Sequence, residues 1–202
     1  MTALVYLHGF RSSSQGIKAT MLRAALDALP SSRRPALWTP DLPHRPALAI
    51  AQIAAHLDTL RDPSSITVIG SSLGGYYATH IAERFGTRAV LINPAIRPYD
   101  DLKPYRGHQV NMYSGETFEV GDAHFDELEQ LKVARITRPD RYFLLVETGD
   151  EVLDYRAAIA FYGGAFQYVK GGGDHAFRDF AAQIPAILGF ADAGAADRAM
   201  VR

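Results

Sequence analysis

Short apolar runs at residues 3–7, 36–39, 66–69, 89–92, 142–146 and 165–169 alternate with stretches whose apolar residues recur at helical spacing. The runs are predicted strands. They are largely continuous rather than apolar at every second residue, which implies strands covered on both faces. Between them, Ile17, Met21, Ala25 and Leu29 share one helical stripe, and Ile50, Ile53, Leu57 and Leu60 share another. A third runs through Tyr77, Ile81 and Phe85 and stops at Gly86, a residue suited to ending a helix. Further helices are predicted over 155–162 and 176–184. Strand and helix in alternation imply right-handed crossovers and a mostly parallel sheet of about six strands with helices on both faces. Functional loops then gather at the C-terminal ends of the strands.

One connection breaks this rhythm. Residues 93–141 are too long for a simple crossover and carry Pro94, Pro98, Pro104, Tyr99, Tyr105 and Tyr113, with one helical patch over 122–133. Long connections in compact domains are often functional, so the segment is predicted to be a small cap inserted over the sheet edge, polar and aromatic rather than greasy. Residues 191–202 are rich in Ala and Asp and are predicted to fray. A length of 202 residues with ordinary apolar content fits a single domain over 1–202. The net charge of −1 supplies no general positive field, so neither nucleic acid nor an anionic membrane is an expected partner. With no cysteine there is no disulfide framework and no thiolate nucleophile. Met1 leads almost directly into the first apolar run, without a charged leader or a run long enough to span a bilayer. A cytoplasmic protein is the expectation; oligomeric state is not legible.

The candidate chemistry sits after the third run. Gly70-Ser71-Ser72-Leu73-Gly74 joins a predicted strand to a predicted helix, the setting of a nucleophile elbow. Such a turn exposes the central side chain and strains its backbone, and glycines two before and two after let strand and helix pass closely. Ser72 is therefore the predicted nucleophile. The helix behind it directs unpaired N–H groups at the reacting centre, with the N–H of Leu73 as first donor to a developing oxyanion.

A serine hydroxyl needs a base, and the base needs a carboxylate to hold its tautomer. Of seven histidines, His175 alone follows the last predicted strand in a flexible Gly-rich loop, 171–174, ahead of the last long helix. His56 and His80 fall inside helical patterns. For the acid, Asp150 follows a strand through Gly149, which permits a tight turn; Glu147, Glu151 and Asp154 are rivals, with N-capping of the next helix a sufficient role for Asp154. The order Ser, Asp, His is that of α/β-hydrolases. No His and carboxylate set has recognisable ligand spacing, so neither metal nor cofactor is expected.

With these partners in place, His8-Gly9-Phe10 closing the first strand resembles the oxyanion loop of α/β-hydrolases. Together with Ser12 and Ser13, the elbow block 70–76, Ile92-Asn93-Pro94-Ala95, the block 148–155 and Gly172-Gly173-Asp174-His175-Ala176-Phe177, it resembles the YqiA-type bacterial esterases. Tyr113-Ser114-Gly115-Glu116 resembles the cap of that family. The resemblance implies a minimal α/β-hydrolase fold that begins at the oxyanion strand, and a small carboxylic-ester or acyl-thioester hydrolase without a cofactor. It also implies a second oxyanion donor, the N–H of Phe10, with Gly9 opening the approach to the substrate oxygen and His8 orienting the loop from outside the triad. The alternatives are acyl transfer to an alcohol or amine, and a non-catalytic ligand-binding module on the same fold.

Overall fold

The computed structural model describes residues 3–60 and 62–199. In chain order the elements are β1 (Ala3–Leu7), α1 (Ile17–Asp27), β2 (Ala36–Trp38), α2 (Pro46–Asp58), β3 (Ile66–Ser71), α3 (Leu73–Phe85), β4 (Arg88–Ile92) and α4 (Pro98–Asp101). They continue with β5 (Gly107–Val110), β6 (Thr117–Val120), α5 (Asp122–Gln130), β7 (Tyr142–Glu147), α6 (Tyr155–Phe161), β8 (Phe166–Lys170) and α7 (Phe180–Ala199). Six strands form one sheet in the order β2-β1-β3-β4-β7-β8, and every neighbouring pair in it is parallel.

The apolar runs serve two cores at once. Val5, Leu7, Val68, Leu91 and Leu144 point to the side covered by α2, α3 and α6, where Ile53, Ile81 and Ala158 meet them. Their chain neighbours Leu4, Tyr6, Ile69, Val90 and Leu145 point to the other side, against Leu22 and Leu26 of α1 and Phe180, Ile184 and Ile187 of α7. Successive strand residues face opposite sides, so a strand buried on both is apolar at nearly every position, with Thr67 of β3 a buried polar exception.

The structure departs from the sequence reading in four places. Residues 93–141 contain a two-stranded antiparallel hairpin, β5 paired with β6, that the pattern does not announce: its strands are four residues each and carry His108, Gln109, Thr117 and Glu119. The helix predicted over 122–133 stops at Gln130. The helix predicted over 176–184 begins only at Phe180, because Phe177 takes a left-handed backbone, φ 52°, while its ring is buried. The fraying predicted for 191–202 does not describe residues 191–199, which continue α7. Ala191 packs into the α1/α7 core, and an Ala-rich segment holds helix well once its first turns are docked. Residues 200–202 lie outside the described residues.

Candidate active site

Ser72 sits between β3 and α3 with φ 54° and ψ −120°, a backbone conformation that side-chain-bearing residues rarely adopt. The surrounding main chain holds it there. Its N–H donates to Ile92 O at 3.0 Å, and its carbonyl accepts from Gly75 N at 2.9 Å and Ala95 N at 3.1 Å. The two flanking glycines are steric necessities. A Cβ on Gly70 would enter the backbone of Gly74, and a Cβ on Gly74 would enter the carbonyl of Leu7.

His175 reaches Ser72 from the loop between β8 and α7. Its Nε2 lies 3.1 Å from Ser72 Oγ, and its Nδ1 lies 3.0 and 2.9 Å from the two carboxylate oxygens of Asp150. Asp150 stands beyond the end of β7 with its side chain only 2% exposed. It also accepts from the backbone N–H groups of Val152 and Leu153, both at 2.9 Å. Burial pushes its carboxyl up, but the hydrogen bonds from His175 and from the Leu153 and Val152 N–H groups outweigh burial and hold it below the ordinary range. With Asp150 ionised, the proton on His175 is kept on Nδ1, which leaves Nε2 as the acceptor facing the serine.

The rival carboxylates occupy other positions. Glu151 Oε2 accepts from His175 N at 3.0 Å, and Glu147 Oε2 accepts from Asp174 N at 2.9 Å. Asp154 caps α6 by accepting from Arg156 N at 2.9 Å. Among the described residues these three carboxylates, Glu147, Asp150 and Glu151, thus meet the histidine loop, and of them only Asp150 meets the imidazole. Asn93 also belongs here, although sequence reading assigned it no role. Buried at the end of β4 with φ 39°, it accepts from Glu147 N at 3.0 Å and donates to the carbonyls of Asp174 and His175 at 3.1 and 3.3 Å. The Asn-Pro pair directly after an apolar strand was the available signal. Proline restricts the preceding residue, and asparagine tolerates left-handed backbone.

Gly9 packs against Ser72 closely enough that a Cβ there would stand 3.2 Å from Ser72 Cβ. His8 is buried, with Nδ1 2.9 Å from Gly9 O and Nε2 accepting from Leu42 N at 3.0 Å. An amide N–H can only donate, so Nδ1 carries the proton and the ring is neutral. Burial accordingly holds His8 below the ordinary histidine value. His80, in contrast, turns to Leu131 O, and His56 stacks on Trp38 with ring centroids 3.8 Å apart.

The segment 93–141 is tied to the loop after β1. Arg11 Nε donates to Val110 O at 3.2 Å, Met112 N to Arg11 O at 2.9 Å, and Asn111 Nδ2 to Ser12 O at 2.9 Å. The Phe10 ring meets Tyr105 and Phe118 edge-on. Beside Ser72 opens a cavity of about 560 Å³, whose wall includes His175, Tyr6, Ile17, Met21, Tyr113 and Phe177. Among the described residues no group of three or more His, Asp or Glu gathers as metal ligands do, and no helix is long and apolar enough to cross a membrane.

This architecture is the α/β-hydrolase fold. Solved structures that share it include a monoacylglycerol lipase from Paleococcus ferrophilus, with a TM-score of 0.72 at 16% identity over 96% of each chain. Est1E from Butyrivibrio proteoclasticus matches at 0.69 and 16% identity, over 96% of this chain and 88% of its own. Mouse alpha/beta hydrolase domain-containing protein 10 matches at 0.70 and 18%, over 94% and 89%. The chain belongs to the uncharacterised protein family UPF0227, whose model matches residues 3–192. A UPF0227 protein of Shewanella baltica strain OS195 is 30% identical over 100 residues, 50% of this chain, and the match spans 55% of that relative. The family assignment agrees with the resemblance carried by the motif blocks.

Proposed function

We propose that the protein is a serine hydrolase of small carboxylic esters or acyl thioesters that works through an acyl-enzyme and needs no cofactor. The observation that carries this reading is the continuous hydrogen-bonded chain from Ser72 Oγ through the imidazole of His175 to the buried carboxylate of Asp150. In the first step His175 Nε2 takes the hydroxyl proton as Ser72 Oγ attacks the substrate carbonyl. Asp150 supports the imidazolium. The N–H groups of Leu73 and Phe10 hold the negative oxygen of the tetrahedral intermediate, Leu73 from the first turn of α3 and Phe10 from the loop that Gly9 brings against Ser72. His175 then gives its proton to the leaving alcohol or thiol. In the second half it activates water, which releases the acid and restores Ser72. The segment 93–141 acts as the cap, bound to the oxyanion loop at Arg11 and Ser12 and closing one side of the cavity with Tyr113.

A fluorophosphonate probe is expected to label the wild-type protein at residue 72. Ser72→Ala is expected to abolish labelling and lower hydrolysis of a p-nitrophenyl ester by roughly 10⁵-fold, with the melting temperature nearly unchanged. Turnover unaffected by Ser72→Ala overturns the reading.

A further inference from the structure

The 560 Å³ cavity beside Ser72 has an uneven chemistry. Much of its wall is hydrocarbon, from Ile17, Met21, Phe177 and Phe180, and no Asp or Glu lines it among the described residues. Its two formal cations are Lys18, in the first turn of α1, and Arg178, in the loop after His175. Arg178 is already neutralised by Asp174 at 2.5 Å. Lys18 makes no hydrogen bond or ion pair among the described residues, whereas Lys103 and Lys170 pair with carboxylates and Lys132 lies over the Tyr99 ring. The half-buried Lys18 ammonium therefore stands in the cavity wall with no close partner, where an entering carboxylate can meet it.

We propose that this cavity takes an acyl chain that ends in a carboxylate, with Lys18 as the residue that reads the carboxylate and the Ile17, Met21 and Phe177 wall holding the methylenes. The inference rests on the esterase reading above and names its substrate class, a half-ester or half-thioester of a dicarboxylic acid. A carboxylate at the end of a methylene chain suits a wall that is hydrocarbon over Ile17, Met21 and Phe177 and carries one ammonium without a close partner. Burial pulls the Lys18 ammonium down to about 8, against the opposing pull of Asp174, Glu147 and Asp150. The charged and titratable groups around it are Asp174, His175 and Arg178 from the loop before α7, Glu147 and Asp150 from the end of β7, Tyr6 of β1, and Tyr113. Lys18 carries its charge at neutral pH and loses it as pH rises through about 8.

The test compares 4-methylumbelliferyl monoesters of glutarate, adipate and suberate with the neutral esters of equal acyl length, scored as the ratio of the two kcat/KM values. The ratio in wild type is expected to exceed that in Lys18→Met by about tenfold at one or more lengths, to survive in Lys18→Arg, and to fall as pH rises past about 8 in wild type alone. Equal ratios in wild type and Lys18→Met at all three lengths overturn the inference. Calorimetric titration of the free dicarboxylates into Ser72→Ala, with and without Lys18→Met, repeats the comparison without turnover. Binding that depends on Lys18 in a protein that hydrolyses neither series supports the inference and overturns the esterase reading. Hydrolysis of both series with no dependence on residue 18 overturns the inference alone.

Discussion

The elbow around Ser72 and the loop that carries His175 are held in place by opposite means. At the elbow, main chain holds main chain. Ser72 is pinned by Ile92, Gly75 and Ala95, and the approach of β1, β3 and α3 is possible only because Gly70 and Gly74 lack side chains. The histidine loop rests on side chains from elsewhere in the chain: Asn93 from β4, Glu147 from β7, and Asp150 and Glu151 from the turn after β7. A residue held in a strained backbone, as Ser72 is, needs a rigid frame. An imidazole that faces both a serine and a carboxylate needs its orientation set, and side-chain hydrogen bonds set it in a loop that glycines leave free to move.

The contrast can be broken at its most sensitive point by exchanging acids. Asp150→Asn is expected to lower kcat/KM for a p-nitrophenyl ester by about 10⁴-fold, since the amide favours the wrong imidazole tautomer. Glu151→Gln, which touches only the His175 backbone N–H, is expected to cost about tenfold or less. A larger loss in Glu151→Gln would move the acid from position 150 to position 151.

On the elbow side, Gly74→Ala is expected to destabilise the protein by about 3 kcal/mol or more, because the new methyl meets the Leu7 carbonyl and neither backbone can yield. Urea denaturation measures it; a change below 1 kcal/mol would show that the elbow is not sterically locked. On the loop side, Asn93→Ala is expected to cost about 1–3 kcal/mol, from the lost bonds and the buried partners left unpaired. It is also expected to lower kcat more than it raises KM. A stability loss without a kcat loss would separate Asn93 from the orientation of His175.

The smallest effect is on pH dependence. Burial holds His8, His80 and His124 below the ordinary histidine value, so the native state resists protonating them while the unfolded chain protonates near pH 6.5. Their contribution is complete above about pH 6.5 and is lost as pH falls toward their folded values. The melting temperature should therefore decline from about pH 6.5 downward, with a smaller exchange protection factor at the Leu42 amide, whose N–H bonds the neutral ring of His8. A flat melting curve over this range would contradict the neutral-ring assignment.

The two regions were not equally legible before folding. Gly70 and Gly74 stand two residues either side of Ser72, and apolar residues run up to the turn, so the local sequence contains the whole steric requirement. The acid was harder to read. Four carboxylates lie within eight residues after β7 begins to leave the sheet, and turn chemistry could only rank them. What separates Asp150 is that its carboxylate reaches the imidazole while Glu147 and Glu151 reach neighbouring backbone N–H groups. Asn93 stayed hidden because its partners, Glu147, Asp174 and His175, lie more than fifty residues away. The β5–β6 hairpin stayed hidden because its strands are short and polar, and its role comes from bonding to Arg11 and Ser12.

Apolar runs long enough to be buried on both faces, helical stripes between them and a glycine-framed serine determined the parallel sheet, its layers and the position of the proposed nucleophile. Each depends on neighbours a few residues apart, which the chain specifies before it folds. Only the tertiary structure decided which carboxylate meets His175, that Asn93 clasps its loop, and that Lys18 stands in the wall beside Ser72 with no hydrogen bond or ion pair among the described residues. Those outcomes depend on distances between segments far apart in the chain, and packing of the whole domain sets them.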